Sequence, residues 1–276
     1  MSRISFLCAQ KLTSFEKKER KMDPFQKIDI IHMQKSGIIN KEMAVTTESP
    51  LTICINNELF DQIMRTPDDE KAQITGLLFC SGIITSSDEM KNFALTVSKY
   101  GETVNVYIQK KQTDISYNNK DLKTQKCSKK FTLSDILNCI NALSNYQPIR
   151  QITRSTHAAI LFDSSCHAIA AKEDVGRHNA LDKVIGQALM DNTLDKAHIL
   201  VLSSRVSHEL ITKVIQTPVK CIFSVSRPTS LAVDIARKRD ISLVCLSKND
   251  GVLIFSGAKR FDMYQKKLPH LQNESI

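Results

Sequence analysis

The chain has 276 residues, 42% of them hydrophobic and 24% charged, so it is long enough and apolar enough to fold around a sizeable core. The balance of 38 basic against 29 acidic residues gives a net charge of +9, which favours an anionic partner. Only 8 glycines are present, which argues against a glycine-rich phosphate loop. No apolar run long enough for a membrane span and no signal-peptide core is evident, so we expect a soluble cytoplasmic protein without membrane contact.

The first half of the chain predicts a basic extension followed by a β-rich part. Residues 1–45 have no clear pattern, and residues 46–150 hold the first ordered elements. The expected elements of this part are a strand over 51–55 with an Asn-Asn turn, a helix from Thr66-Pro67 to Leu78, a hairpin over 93–109, an exposed loop over 110–130 and a helix over 132–143.

The second half, residues 151–276, predicts a regular α/β domain. Apolar strands alternate with helices that have apolar faces, which is typical of a parallel or mixed sheet with crossover helices. The strands are expected at 157–162, 166–171, 198–202, 220–225, 241–246 and 252–255, and the helices at 179–190, 206–215 and 228–236. The fold class is therefore α/β in this domain and α+β overall.

Polar residues follow several of these strands, at the edge where an α/β sheet binds its ligands. They lie in the segments 203–205, 226–229 and 247–251, and a similar group opens the helix at 176–179. In the last group Asn179 can cap the helix, with Asp182 in a capping-box-like position. Each segment alone fits an ordinary helix cap or turn. Together, in a basic chain, they favour a ligand that carries phosphate.

The segment Glu173–Lys183 is the densest group of polar side chains in the sequence. It fits either a structural ion-pair network or a site for acid–base chemistry or ligand contact, and spacing alone does not choose between them. Its exposed candidates for ligand contact are Arg177 and His178.

Cys127 differs from the other seven cysteines because it lies in a polar, lysine-rich stretch. Lysines stabilise a thiolate, which would make Cys127 reactive, although an incidental surface cysteine fits equally well. Five others (Cys54, Cys80, Cys139, Cys221 and Cys245) lie in apolar runs and are expected to pack as small hydrophobes. The zinc-deaminase motifs H-x-E and P-C-x-x-C are absent from the sequence, so no zinc or other metal site is expected.

The segment Glu173-Asp174-Val175-Gly176-Arg177-His178-Asn179-Ala180 resembles the signature of the formate dehydrogenase accessory sulfurtransferase family, FdhD. Further matches occur in order along residues 46–260. They are Glu48-x-Pro50-Leu51-Thr52-Ile53, Thr66-Pro67-Asp68, Gly82-Ile83-Ile84, His157-Ala158-Ala159, Ser203-x-Arg205-Val206-Ser207 and Pro228-Thr229-Ser230-Leu231-Ala232-Val233.

The resemblance implies a β-rich N-terminal part, a cytidine-deaminase-like C-terminal domain and a homodimer. It implies sulfurtransferase activity, in which Cys127 takes persulfide sulfur from a cysteine desulfurase. The sulfur then passes to the bis-molybdopterin guanine dinucleotide cofactor of formate dehydrogenase, for which GDP is a mimic. The cofactor-binding residues it implies are Leu246, Ser247, Lys248, Asn249, Asp250 and Gly251, with Arg177 and His178.

The chain departs from the family pattern at the loop cysteines. The family has a C-x-x-C pair, whereas Thr124 or Lys130 stands where the partner of Cys127 would be. This departure keeps open a second function, in which the chain holds and delivers the molybdenum cofactor without transferring sulfur. A nucleic-acid-binding role is disfavoured because the chain has no Trp and only 5 Tyr for base stacking. Residues 247–251 likewise fit a plain turn.

Overall fold

The computed structural model describes residues 22–98, 101–109, 130–247 and 251–262. Within these ranges the N-terminal part contains a two-stranded ribbon and a four-stranded sheet in the order β4-β3-β6-β5. The ribbon is formed by β1 (Phe25–Gln34) and β2 (Gly37–Thr46). The four-stranded sheet is formed by β3 (Ser49–Ile55), β4 (Glu58–Arg65), β5 (Met90–Ser98) and β6 (Gly101–Ile108).

The C-terminal part contains a six-stranded sheet in the order β12-β11-β10-β9-β7-β8. Its strands are β7 (His157–Phe162), β8 (Ala168–Asp174), β9 (Ile199–Leu202), β10 (Cys221–Ser224), β11 (Ser242–Leu246) and β12 (Val252–Ser256). The helices of the described ranges are α1 (Glu70–Cys80), α2 (Leu133–Asn141), α3 (Pro148–Thr153), α4 (Arg177–Met190), α5 (His208–Val214) and α6 (Ser230–Lys238). No helix in these ranges is both long and apolar enough to cross a membrane.

The six-stranded sheet is mixed, which confirms the predicted α/β alternation. Strands β9, β10 and β11 are parallel, whereas β7 is antiparallel to both β8 and β9 and β12 is antiparallel to β11. Strand β8 therefore runs in the same direction as β9, β10 and β11. The carboxyl ends of these four strands all lie at one edge of the sheet, which is called the ligand edge below.

The core lies between the two larger sheets, with α1 and α4 packed in the layer that separates them. One hydrophobic cluster joins Leu51 of β3, Leu78 of α1, Leu181 of α4 and Leu200 of β9, all fully buried. A second cluster covers the opposite face of the six-stranded sheet with Ile136 and other residues of α2. The same core is thus shared by residues from both predicted domains, 46–150 and 151–276. The division of the chain into these two domains stays a prediction.

Helices α1 and α4 cross in direct backbone contact, which only glycine permits. A Cβ atom on Gly186 of α4 would lie 1.8 Å from the carbonyl oxygen of Ala72, and one on Gly76 of α1 would lie 1.9 Å from the carbonyl oxygen of Asp182. Because real Cβ atoms do not approach other atoms so closely, these glycines set the spacing between the two helices. This crossing fixes the position of α4, whose first residues open onto the ligand edge.

Several local predictions are confirmed by the described elements. The alternating segments form the antiparallel pair β5–β6. Thr132 caps α2 in a capping box with Asp135. The Asn-Asn turn joins β3 to β4, with positive φ at Asn56 and Asn57. In each case the structure is determined by residues that are close in sequence, so the local sequence pattern was sufficient to predict it.

The predicted start of α1 is wrong, because the helix begins at Glu70 and not at Pro67. Asp68 and Asp69 adopt positive φ, which is incompatible with a helical turn. Thr66 does not cap α1. Its backbone N–H donates to the Asp174 carboxylate and its hydroxyl accepts from the Val175 N–H, at 3.1 and 2.9 Å. The chain here is held by distant residues, so the local pattern misplaces the helix.

Candidate functional site

The ligand edge brings together the segments that follow β8, β9, β10 and β11, as the sequence predicted. The segments after β9 and β10 are joined by backbone hydrogen bonds from Val225 N–H to the Leu202 carbonyl and from Thr229 N–H to the Val206 carbonyl, at 3.1 and 3.0 Å. Thr229 caps α6 by accepting from Ala232 N–H, so this predicted cap is confirmed. The segments that follow β9 and β10, with their hydroxyl and cationic side chains, therefore lie side by side at this edge.

Arg177 and His178 stand at the first turn of α4, where the backbone N–H groups of a helix favour an anion. The buried Nε of Arg177 has no hydrogen-bond partner within the described residues. His178 Nε2 lies 2.9 Å from a Glu209 carboxylate oxygen of α5. Burial, and then the charge of Arg177, lower the pKa of His178, while Glu209 opposes them. His178 is thus held mainly neutral, and Arg177 is the cation with an atom left to bind a ligand.

His157 and Ser203 form a second polar pair at this edge; the sequence placed Ser203 here and matched His157 to a family motif, but it did not predict that the two side chains meet. The Ser203 hydroxyl accepts a hydrogen bond from Ala158 N–H at 2.8 Å and lies 3.4 Å from His157 Nδ1. Burial, followed by the charges of Arg150 and Arg177, lowers the pKa of His157. Its position at the start of β7, beside the carboxyl end of β9, could have been found only by knowing that these strands are antiparallel.

Ser207 adds another hydrogen-bonding group to the ligand edge. It occupies the N-cap position of α5 but makes no side-chain cap hydrogen bond. Its buried Oγ has no partner within the described ranges. The sequence expected the helix from residue 206 and did not single out Ser207 as a ligand residue, yet its hydroxyl is available to a bound group.

The polar segment Glu173–Lys183 divides into a structural half and a half that opens onto the ligand edge. Glu173 accepts hydrogen bonds from the N–H groups of Ile149 and Arg150 at the start of α3, and from the Thr156 hydroxyl. This carboxylate fixes α3 against β8. It faces the protein interior and not a ligand.

Asp174 and Lys183 form an ion pair of 2.7 Å that is almost completely buried, at 0% and 1% side-chain exposure. Asp174 also accepts from Gly176 N–H and from the Asn179 amide, at 2.8 and 2.9 Å. Lys183 donates to the Thr66 carbonyl at 2.9 Å. Because all these hydrogen bonds are internal, the group positions the first turn of α4 and is not free for acid–base chemistry.

Two predictions for the start of α4 are wrong. Asn179 does not cap the helix, since the N-cap is Gly176 without a side-chain hydrogen bond, and Asn179 donates instead to the Met64 carbonyl at 2.7 Å. Asp182 does not complete a capping box but binds Lys213 of α5, with oxygen–nitrogen distances of 2.7 and 2.5 Å. Both residues are buried by contacts that are distant in sequence, Asn179 against Met64 of β4 and Asp182 against Lys213 of α5.

Asp182 lies in a buried cluster with Lys213 and the Cys80 thiol. Burial raises the pKa of Asp182 to about 6, although Lys213 acts in the opposite direction. Burial, and then Asp182, raise the pKa of Cys80 well above its usual value. Burial also raises the pKa of Cys245, although Arg227 acts in the opposite direction. Both thiols are therefore poor nucleophiles, as expected of cysteines that pack as small hydrophobes.

The predicted cofactor segment Leu246–Gly251 begins at the carboxyl end of β11. Leu246 is the last residue of that strand, and Ser247 N–H donates to the Gly251 carbonyl at 3.0 Å. Gly251 has a φ of 72°, which favours glycine. Lys248, Asn249 and Asp250 lie outside the described residues. The prediction that Leu246–Gly251 contacts a ligand therefore stays a prediction.

The two groups of predicted ligand residues lie at opposite ends of the ligand edge. The carboxyl ends of β8 and β11 are four strand spacings apart in the sheet order, which is about 19 Å. Arg177 and His178 are thus separated from Leu246–Gly251 by the segments that follow β9 and β10. The predicted persulfide residue, Cys127, lies outside the described residues.

Comparison with known proteins places this fold and edge in a family. A model of the FdhD/NarQ family matches residues 46–262. A protein of Picrophilus torridus named sulfur carrier protein FdhD is 33% identical over 240 residues, which cover 78% of this chain and 91% of the relative. A protein of the same name from Staphylococcus aureus strain MRSA252 is 29% identical over 252 residues, covering 84% and 94%.

A solved structure supports the same fold. A crystal structure from Desulfotalea psychrophila, described as that of a formate dehydrogenase accessory protein, superposes with a TM-score of 0.71 at 21% identity. It covers 87% of this chain and 100% of the other. The family match spans every described strand from β3 to β12, including the ligand edge and the Glu173–Lys183 segment. The chain therefore belongs to the FdhD/NarQ family, as its motifs predicted.

Proposed function

We propose that this chain is a sulfur carrier that supports formate dehydrogenase. The observation that carries the proposal is the family match over residues 46–262, within which the relatives bear the name sulfur carrier protein FdhD. The ligand edge supports the proposal, because Arg177 Nε and Ser207 Oγ have no hydrogen-bond partner among the described residues and could both bind an anionic group. The protein acts in the cytoplasm as a homodimer, with a cysteine desulfurase as its sulfur donor.

Cys127 carries the sulfur in this proposal. Its thiolate attacks the terminal sulfur of the desulfurase persulfide, the S–S bond of the donor breaks, and the donor cysteine leaves as a thiolate. Cys127 then holds the persulfide. The neighbouring lysines favour the attacking thiolate. The buried thiols Cys80 and Cys245 are unsuited to this step because their pKa values are raised by burial.

The acceptor is the bis-molybdopterin guanine dinucleotide cofactor, which is the substrate of the carrier. Its diphosphates are the anionic groups that the ligand edge would bind, through Arg177 and the first turn of α4 at one end. At the other end, Leu246–Gly251 would contact the guanine dinucleotide, with Lys248 supplying charge. Neutral His178 directs its single N–H to Glu209, which leaves the lone pair of the other ring nitrogen, and neutral His157 adds a polar ring without adding charge.

A second candidate function is delivery of the molybdenum cofactor without sulfur transfer. The observation that favours it is the incomplete C-x-x-C pair, in which Cys127 has no neighbouring cysteine three residues away. Both functions use the ligand edge, and they differ only in whether Cys127 is required.

Persulfide mapping separates the two functions. The protein is incubated with a cysteine desulfurase and cysteine, and sulfane sulfur is located by mass spectrometry. We expect it on Cys127, and we expect Cys127→Ala to lose transfer to the cofactor. Cys166→Ala, which removes another thiol that is only partly buried, is the matched control and should retain transfer. Two results would favour delivery of the cofactor without sulfur transfer. One is that no sulfane sulfur is found on Cys127. The other is that the Cys127→Ala protein still binds GDP and restores formate dehydrogenase activity in a deletion strain.

A further inference from the structure

The β1–β2 ribbon projects from the body of the protein as an arm with a small base. Its described side-chain hydrogen bonds to the body are those of Thr46 Oγ1, which lies 2.8 Å from Thr153 Oγ1 and 2.6 Å from Ser155 Oγ. The backbone adds a bond from Thr47 N–H to the Pro24 carbonyl at the base. A two-stranded ribbon is only marginally stable in water by itself. The arm therefore lacks the packing that a ribbon of this length ordinarily needs.

The arm exposes large apolar side chains along its length. The most exposed are at the tip, where Ile31, Met33 and Ile38 are 72%, 75% and 64% accessible. Ile28, Ile39 and Met43, which lie on the opposite face of the ribbon, are also exposed. Both faces of the ribbon therefore expose large apolar side chains, which favours an interaction site on the arm.

The outer edge of strand β1 is unpaired among the residues that the structure describes. The strand pairs with β2 over ten residue pairs without a register shift, and it contains neither proline nor a bulge. No hydrogen bond joins its outer edge to any other described element. Natural proteins usually protect such an edge, because its free N–H and C=O groups accept another strand. The edge of β1 is therefore suited to pairing with a strand from outside the chain.

The charges on β1 select the strand that would pair there. Asp29 lies directly opposite Glu42 of β2, and this juxtaposition of like charges is unfavourable. Lys27 is drawn toward the same Glu42 carboxylate, at 3.5 Å. Asp29 thus faces a carboxylate and has no described ion-pair partner of its own on the arm. A cation beside Asp29 on the open side of β1 would relieve this repulsion.

We propose that β1 pairs antiparallel with β1 of a second copy of this chain, with Ile28 opposite the partner's Ile28. In this register Lys27 lies opposite the partner's Asp29, and the two-fold axis repeats the ion pair on the other side. Phe25 lies opposite the partner's Ile31, so the tip of each arm packs against the base of the other. The contact is isologous, and the same surface serves both copies.

Other registers are less favourable on the same grounds. Each register is defined by the residue through which the two-fold axis passes. A two-fold axis through Asp29 or through Lys27 would place that residue opposite its own copy, so like charges would face each other. An axis at Ile30 would place Asp29 opposite the partner's Ile31 and Lys27 opposite the partner's Met33. Axes between residues would set the face that carries Ile28 and Ile30 against the charged face of the partner strand. Only the axis at Ile28 pairs both charges.

This inference rests on the dimer of the proposed function and is independent of sulfur transfer. The first test uses single cysteine variants of the full chain under mild oxidation. Residues directly opposite in an antiparallel pair have Cα atoms about 4.5–5.5 Å apart, which a disulfide can span. Ile28→Cys should therefore form a covalent dimer in high yield. The control Ile30→Cys, on the same face and strand, should not, because its two copies would be about 14 Å apart.

The second test reverses charges and measures the dimer by analytical ultracentrifugation. Asp29→Lys would favour the isolated arm, because it places a cation opposite Glu42, yet it should weaken the dimer about tenfold by setting cations opposite each other. Adding Lys27→Asp to it should restore wild-type association. Circular dichroism checks that each variant is folded.

The outcomes separate the register from the dimer. A dimer in which Ile28→Cys and Ile30→Cys cross-link equally, or in which the double charge reversal remains as weak as Asp29→Lys, overturns the proposed pairing and leaves the dimer itself standing. A protein that is monomeric at all concentrations overturns both. Selective cross-linking of Ile28→Cys together with recovery in the double variant supports the register, whatever persulfide mapping shows for Cys127.

Discussion

Replacing Gly186 with alanine tests whether the crossing of α1 and α4 holds the ligand edge in place. Two effects oppose each other in this variant. Alanine is about 1 kcal/mol more favourable than glycine inside a helix, so α4 considered alone predicts a more stable protein. In the structure, however, the new Cβ would lie 1.8 Å from the Ala72 carbonyl oxygen and 2.6 Å from the Gly76 nitrogen. The packing predicts a less stable protein.

The packing effect should be the larger one. Non-bonded carbon and oxygen atoms need more than 3 Å, so the helices would have to separate by roughly 1.5 Å at this point. The atoms in the way are backbone, and they cannot swing aside as a flexible side chain could. Overpacking in a core typically costs about 1–3 kcal/mol and occasionally more. We expect a net destabilisation of about 2 kcal/mol, which lowers Tm by roughly 4–8 °C for a domain of this size.

Thermal unfolding followed by circular dichroism measures this change, and titration with GDP measures its effect on the ligand edge. Because α4 carries Arg177, its displacement should also weaken GDP binding. The control is Gln187→Ala, the adjacent position on α4, where the side chain only reaches Asp191 near the surface and the change should stay within about ±0.5 kcal/mol. A Gly186→Ala protein with an unchanged or higher Tm would refute the close crossing.

Three further predictions concern the ligand edge and the buried cluster. Lys248→Ala should weaken GDP binding by about tenfold or more if Lys248 contacts a phosphate. Equal affinities of the two proteins in calorimetric titrations at matched salt would exclude Lys248 as a ligand residue. Arg177→Met should weaken GDP binding similarly and raise the pKa values of His157 and His178, since its charge helps to lower both; unchanged NMR titrations would contradict this. Asp182, with its pKa raised from 3.8 to about 6, binds more protons when folded, so its contribution to the free energy of unfolding should fall by about 2 kcal/mol as pH rises from 4 to 7. The free energy of unfolding of Asp182→Asn, measured by denaturation, should lack this decrease. If the free energies of the wild-type and Asp182→Asn proteins change with pH in the same way, the assigned pKa is wrong.

The sequence by itself determined the elements whose stabilising contacts are local. The β5–β6 hairpin, the Thr132 capping box and the alternation of strands and helices after residue 156 follow from neighbouring residues or from short-range periodicity. The ligand edge was also predictable, because parallel strands with crossover helices bring their carboxyl ends to one side. The family followed from the Glu173–Lys183 segment, which is long enough to be specific.

The tertiary structure alone decided what the polar residues of α4 do. The sequence predicted Asn179 and Asp182 as capping residues and left open whether the polar segment that ends at Lys183 is structural. In the structure all three of these residues are buried. Asn179 and Lys183 donate to the carbonyls of Met64 and Thr66, which are 115 and 117 positions away in the chain.

The same limit applies to the arm and to the separation of the two predicted ligand groups. No element was predicted for residues 25–45, because charged residues such as Lys27 and Asp29 interrupt the apolar pattern of β1 and face β2, a strand that the sequence did not predict. The sequence likewise placed Arg177 and Leu246–Gly251 at one edge without showing the roughly 19 Å between them, since that distance depends on strand order. Periodicity reports which side of an element is apolar. What covers that side depends on contacts between residues distant in sequence, which only the folded chain provides.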